Sequence, residues 1–218
     1  MLKIYGADLS TPANKVRFVA NALGLKYEYI RISIREKENQ KPEYLKIHPA
    51  GKIPAINDDG FILFESNAII RYLTCKQKSD LYPQDLKQRS LIDQWMDFAS
   101  LHVAAAMNKV VFNRLFAPVI GVPVDEQSLN DGLKFLHRFL PVVDNQVGKE
   151  GLFAGKDLSL ADFSLLAALD AADVVQIDLA AHKNIVKWRN TMQQKDFYTK
   201  CYRNYGEVLQ KMMAAAPK

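Results

Sequence analysis

His48-Pro49-Ala50-Gly51-Lys52-Ile53-Pro54-Ala55-Ile56-Asn57-Asp58-Asp59-Gly60-Phe61-Ile62-Leu63-Phe64-Glu65-Ser66-Asn67-Ala68-Ile69-Ile70-Arg71-Tyr72-Leu73 is the stretch that decides how the first third of this chain folds. Two apolar runs, Ile53 to Ile56 and Phe61 to Phe64, flank Asn57-Asp58-Asp59-Gly60, which predicts a hairpin. Helical spacing begins at Ser66 and runs to Leu73, with Ala68, Ile69 and Tyr72 on one face. Upstream, Leu2 to Tyr5 reads as a short apolar strand. Ser10-Thr11-Pro12 then starts a helix, with a hydroxyl residue at the cap and proline where a missing N–H costs nothing. Val16, Val19, Ala20 and Leu23 share one helical face, and Gly24 suits a left-handed C-terminal residue. Lys26 to Ile32 alternates as a strand does, and two strands joined by a helix favour parallel pairing. The polar stretch Arg35 to Lys46 separates this unit from the hairpin. A βαβ unit followed by ββα predicts an α/β part, a small mixed sheet covered by helices.

Beyond Ser79 to Leu86, which contains Pro83 and no apolar period, only helix is predicted. The expected division is 1–78, a linker at 79–86, and an all-α part at 87–218. Arg89 to Leu115 carries an apolar series including Leu91, Ile92, Trp95, Met96, Phe98, Ala99, His102, Val103 and Ala106. Leu129, Leu133, Leu136, Leu140, Val143 and Val147 recur at alternating spacings of four and three, a stripe that Pro141 should kink or break. Ser159-Leu160-Ala161-Asp162 has capping-box spacing, so Asp162 reads as a structural cap rather than an acid catalyst. Leu160 to Leu169 is apolar on nearly every side and belongs at the centre of a bundle. Asn184 to Gln193 and Tyr202 to Met213 add amphipathic helices.

With 218 residues, 49% hydrophobic and 24% charged, the chain is of ordinary globular composition, which excludes a disordered or collagen-like protein. No uninterrupted apolar run reaches the roughly 18 residues of a membrane span, and no leader is recognisable at the N-terminus, so a soluble, cytoplasmic protein is expected. Cys75 and Cys201 form neither a CxxC pair nor a metal cluster and are expected reduced and packed; no metal site is expected. The net charge of +5 comes from scattered basic residues. That argues against a nucleic-acid footprint and favours anionic small molecules.

Three places could carry chemistry. Ser10 stands where a strand ends and a helix begins; its hydroxyl either caps the helix or donates to a thiolate held by the positive helix end. Ile53-Pro54 precedes a strand that suits a sheet edge. Trans is the default for such a bond, while a cis bond would turn the Ile53 backbone toward an extended peptide. Glu65-Ser66 opens a helix, where Ser66 either caps it or holds a carboxylate while Glu65 pairs with an ammonium.

Ser10-Thr11-Pro12, the run from His48 to Pro54, Glu65 to Leu73, Leu81-Tyr82-Pro83, Phe153-Ala154-Gly155 and Ser159 to Phe163 together resemble the cytosolic glutathione transferase family, in its serine-type (theta-, phi- or delta-like) classes. The resemblance spans nearly the whole chain. It implies a thioredoxin-like N-terminal domain, an all-helical C-terminal domain and a homodimer, with glutathione as co-substrate and no metal. It casts Ser10 as the activating hydroxyl, Lys52 as the partner of the glycyl carboxylate, Ile53 as the backbone partner of the cysteinyl group before a cis Pro54, and Glu65 and Ser66 as holders of the γ-glutamyl end. Lys41 is a further glutathione-binding candidate and Asp97 one that would act from a partner subunit. Met107, Val111 and Phe112 are candidates for a pocket that takes a small hydrophobic electrophile, with bundle core as the competing reading. The chain departs from the pattern at His48, where Asn is usual, and at Asn67, where several classes carry Arg. The implied function is conjugation of glutathione to electrophiles. Alternatives are glutathione-dependent isomerase, reductase or peroxidase chemistry on the same fold, or a non-catalytic interaction protein.

Overall fold

The computed structural model describes residues 1–214, so residues 215–218, the end of the predicted helical part, lie outside the described residues. β1 (Leu2–Gly6), α1 (Thr11–Ala22) and β2 (Tyr27–Arg31) form the parallel unit the spacing predicts, with Leu2 opposite Tyr27 and Gly6 opposite Arg31. A short helix α2 (Pro42–Leu45) precedes the hairpin of β3 (Ala55–Asp58) and β4 (Phe61–Phe64). β3 runs antiparallel to both β1 and β4, giving the order β2-β1-β3-β4. The turn is tighter than the sequence suggests: Asn57 and Asp58 stay in the strand and only Asp59 (φ 52°) and Gly60 (φ 98°) turn, two consecutive left-handed residues that match the twist of the flanking strands.

The two faces of the sheet bury different sets. Leu2, Ile4 and Ile56 point toward α1 and α3 (Ser66–Lys76), where Val16, Val19, Ile69, Ile70 and Leu73 meet them; each such side chain contributes about 1.5–3 kcal/mol relative to exposure. Tyr5, Ile32 and Ala55 face the other way, onto Tyr44 of α2. The buried face of α3 is Ile69, Ile70, Leu73 and Thr74, rotated from the predicted one; Ala68 and Tyr72 are only half-buried, because the Tyr72 hydroxyl reaches out to donate to Asp58 Oδ2 at 2.7 Å. Gly6 sits where α1 presses on the sheet: a Cβ there would lie 2.7 Å from Ala13 Cβ and 2.9 Å from the Tyr29 hydroxyl.

The rest is helical. α4 runs continuously over Leu86–Ile120, with wider π-helical turns at Phe98–Ala104 and Phe112–Phe116. Asp85 caps its start by accepting from Gln88 N at 2.8 Å. By length and composition α4 could span a membrane, although charged residues interrupt it and no uninterrupted apolar run of that length occurs. Its row of Ile92, Met96, Ala99, Val103, Ala106 and Val110 is buried in the bundle, which accounts for the apolar content. Leu91 of the predicted apolar series points outward, 49% exposed.

α5 (Glu126–Glu150), capped by Asp125, passes through Pro141 without a break: the proline lies on the exposed face, where the carbonyl it deprives of a partner can reach water. α6 (Leu160–Leu169) is buried along its whole length at the centre, packed on α1 and α4. α7 (Lys183–Gln193), the short α8 (Asp196–Thr199) and α9 (Tyr205–Ala214) complete the bundle. α9 starts three residues later than predicted. The capping box at Ser159 forms, and Asp162 does more than close it: Oδ2 accepts from the Ser159 N–H and hydroxyl at 3.1 Å each, Oδ1 from Phe153 N at 2.9 Å and Trp188 Nε1 at 3.1 Å. Cys201 is half-buried against Asn21, and burial pushes its thiol up to about 11; Cys75, expected to be packed, is exposed.

Candidate functional site

A cleft of about 450 Å³ opens between one end of the sheet's strands and the helical bundle. Three segments the sequence singled out converge on it: the start of α1, the loop that ends at Pro54, and the start of α3.

The loop Ala7–Ser10 is tied down before it reaches α1. Asn14 Nδ2 donates to Asp8 O at 2.8 Å, the Tyr205 hydroxyl donates to Leu9 O at 2.7 Å, and Ser10 N donates to Ala7 O at 2.9 Å. Ser10 is the N-cap of α1, its Oγ accepting from Ala13 N at 3.3 Å. Capping uses an oxygen lone pair only. The hydroxyl proton remains available, so capping and donation to a thiolate are compatible roles for one group. Thr11, Pro12 and Lys15 line the cleft, and Ser10 adjoins that lining rather than forming part of it.

The second segment is held by residues the sequence reading passed over. Asn39 Nδ2 donates to Gly51 O at 2.7 Å, and the Tyr44 hydroxyl donates to Lys52 O at 2.7 Å. Gly51 adopts φ 60° with Asn39 O only 2.8 Å from where a Cβ would stand, so no other residue fits that turn without strain. Ile53–Pro54 is cis, as the resemblance implied and against the default for a proline bond. Lys52, Ile53 and Pro54 all line the cleft, Lys52 from an exposed position. His48 lines it too, its ring packed on Phe64 with centroids 4.6 Å apart; burial lowers its pKa, with Glu65 acting in the opposite direction. A signal for Asn39 and Tyr44 existed only in combination, since a polar or aromatic residue in a loop gives no hint that it holds a carbonyl twelve or eight residues on.

At the third segment Glu65 takes φ 69°, a backbone conformation that non-glycine residues rarely adopt, and its side chain does not cap α3. Ser66 is therefore the first residue of the helix and not its cap, and among the described residues its hydroxyl makes no hydrogen bond. The capping explanation falls away for Ser66. Its N–H and hydroxyl, at the positive end of α3, are free for an anion, with Glu65 beside them for an ammonium. Asn67 bridges outward: its Oδ1 accepts from Lys15 Nζ at 2.5 Å and its Nδ2 donates to Ser100 Oγ at 3.0 Å. Arg71 is held away from the cleft by Asp93, with Nε to Oδ1 at 2.9 Å, and Asp93 also accepts from the Tyr82 hydroxyl at 2.8 Å.

The helical wall differs from the candidates proposed for an electrophile pocket. Ser100, Ala104 and Asn108, at steps of four along α4, face the cleft together with Ser164, Ala167 and Ala168 of α6. Met107 and Val111 are buried in the bundle and Phe112 is 44% exposed, and none of the three lines the cleft. Lys41 does not line it either. It stands at the N-cap position of α2, 3.8 Å from Glu38. Asp97 is exposed on α4, one turn before Ser100.

Pro54 leads into β3, an internal strand paired with β1 and β4 rather than the edge strand expected. A mixed four-stranded sheet with a cis-proline loop and a free helix N-terminus at one end of its strands, backed by a helical bundle, defines the thioredoxin-like class of two-part proteins. Residues 1–74 match the family described as glutathione S-transferase, N-terminal domain, and residues 99–196 match glutathione S-transferase, C-terminal domain. The probable glutathione S-transferase GSTF2 of Oryza sativa subsp. japonica is 32% identical over 168 residues, covering 76% of this chain and 78% of its own. Glutathione transferase F7 of Populus trichocarpa superposes with a TM-score of 0.86 at 25% identity, covering 96% of this chain and 99% of that one. Glutathione S-transferase-I bound with lactoylglutathione superposes at 0.84 with 27% identity, covering 92% and 97%. The chain belongs to the glutathione S-transferase family.

Proposed function

We propose that the protein is a glutathione transferase that stretches glutathione across the cleft and adds its sulfur to a small electrophile. The observation that carries this reading is the convergence of the start of α1, next to Ser10, the cis Ile53–Pro54 segment and the free Ser66 hydroxyl on one cleft. A solved relative that holds a glutathione conjugate supports it. In this reading the γ-glutamyl end lies on Glu65 and Ser66, the cysteinyl backbone pairs with Ile53, and the glycyl carboxylate meets Lys52. The sulfur points to Ser10, whose hydroxyl donates to the thiolate and makes it available near neutral pH. The thiol proton leaves to solvent, the sulfur lone pair forms the new C–S bond, and the electrophile's leaving group departs with its own electron pair. Electrophiles dock on the wall of Ala104, Asn108, Ser164, Ala167 and Ala168, whose small side chains leave room beside the sulfur.

Phe61, Ile62 and Phe64 are all at least 39% exposed on the edge strand β4, an apolar strip that supports pairing of two copies. Sedimentation should give a dimer, and Phe61→Lys should shift it toward monomer.

Calorimetric titration with glutathione, followed by conjugation of an aromatic halide, tests the function. Binding in the millimolar range or tighter together with turnover is expected. No binding at millimolar glutathione would leave the reading without a basis.

A further inference from the structure

The loop Ala7–Ser10 carries one charged side chain, Asp8, and that side chain sits on a polar cluster behind the cleft rather than on its lining. Asp8 Oδ2 accepts from Arg31 Nε of β2 at 2.8 Å, and Oδ1 faces Arg17 Nη1 of α1 at 3.6 Å. Arg17 is 8% exposed. Its guanidinium lies over the Tyr29 ring at 4.3 Å, and Nη1 donates to Asn14 Oδ1 at 3.2 Å. Buried Asn14 donates in turn to the Asp8 carbonyl at 2.8 Å. The carboxylate is thus clamped between one arginine from the first helix and one from the second strand, two residues before Ser10.

Stability alone does not account for this arrangement. Burying an arginine beside a carboxylate is costly, and an apolar filling of the same space is often as stable. The pairing is also incomplete: among the described residues Asp8 Oδ1, Arg17 Nε and the Tyr29 hydroxyl are buried without a hydrogen-bond partner. A cluster that keeps such atoms calls for an explanation outside packing, and the backbone above it supplies one. The carbonyls of Ala7, Asp8 and Leu9 are each taken, by Ser10 N, Asn14 and Tyr205. Those bonds fix the shape of the loop, and the two arginines fix where it stands between α1 and β2.

We propose that Asp8 is a positioning residue for Ser10: held by Arg17 and Arg31, it sets the place of the Ser10 hydroxyl against the glutathione sulfur while touching neither glutathione nor the cleft. The proposal rests on the role given to Ser10 above and names what holds that hydroxyl in place.

Charge and position act in opposite directions here. Removing the carboxylate leaves the two arginines less neutralised, and positive charge behind the loop favours a thiolate. Misplacing the Ser10 hydroxyl disfavours one. The titration of glutathione bound to the protein, followed by the ultraviolet absorbance of its thiolate, separates the two.

Asp8→Ala should move that titration to higher pH, so that at pH 6.5 the thiolate signal and kcat each fall about threefold, while affinity for S-methylglutathione stays within about twofold. Ser10→Ala should move it in the same direction, and Asp8→Ala added to Ser10→Ala should change nothing further, because both act through one hydroxyl. Arg31→Ala, at an exposed site, removes the 2.8 Å bond without opening the buried cluster; its shift to higher pH should vanish in the Ser10→Ala background, where a plain charge effect would persist. Should Asp8→Ala fail to fold, Arg31→Ala decides. A titration in Asp8→Ala that is unmoved or shifted to lower pH, or an effect of Asp8→Ala or Arg31→Ala that survives in Ser10→Ala, overturns the positioning role and leaves the glutathione reading intact. Ser10→Ala with a wild-type titration overturns the role of Ser10 and this proposal together.

Discussion

Ser10 spends a lone pair on the Ala13 N–H and leaves its hydroxyl proton uncommitted, so under the proposed function substitution there has two separable effects. Ser10→Ala should lower turnover at least tenfold, about 1.4 kcal/mol of transition-state stabilisation. It should also cost about 1 kcal/mol of stability through the lost cap, a fall in Tm of about 2–4 °C. Ser10→Thr keeps the capping oxygen and should restore Tm, a comparison that thermal unfolding beside a conjugation assay can make. Turnover unchanged in Ser10→Ala would remove Ser10 from the mechanism. At this scale Ser66 was harder to read than Ser10. Serine before a helix looks like a cap, and only the φ of Glu65, one residue earlier, reveals that the helix begins at Ser66 with its hydroxyl unspent.

The segment from Asn39 to Pro54 shows how an element can matter to a site without touching it. Asn39→Ala would strand the Gly51 carbonyl in a buried turn, at a cost of about 1–3 kcal/mol. Because that turn carries Lys52 and Ile53, KM for glutathione should rise at least threefold while kcat stays within about twofold. Steady-state kinetics at saturating electrophile would show it, and a fall in kcat alone would mean that the turn serves another part of the reaction. Strands β1, β2 and the hairpin, and the central burial of α6, were legible because alternation, turn residues and an all-apolar helix are local signals. The cleft wall on α4 was not. Met107 and Val111 advertise burial, and the bundle takes them, whereas Ser100, Ala104 and Asn108 are small or polar and look like any solvated row.

Across the whole molecule, the helical layer does more than cover the sheet. Asn21 of α1 donates to Phe197 O at 3.0 Å, and Tyr205 of α9 donates to Leu9 O at 2.7 Å, so the loop that presents Ser10 is fixed from the far end of the chain. Tyr205→Phe removes one buried bond and should cost about 1 kcal/mol on chemical denaturation. If the Leu9 anchor positions Ser10, kcat should fall at least threefold with glutathione affinity nearly unchanged; an unaltered kcat would confine Tyr205 to stability. Nothing in the sequence pairs these residues, because the connection depends on how two separately readable parts dock.

The link between Leu9 and Tyr205 spans 196 residues. A ribosome adding about 5–20 residues per second needs roughly 10 to 40 s to travel that distance, so the opening loop waits that long for its latch. The nascent sheet can pair its strands early, yet the loop before α1 gains its Tyr205 anchor only once nearly all of the polypeptide has emerged.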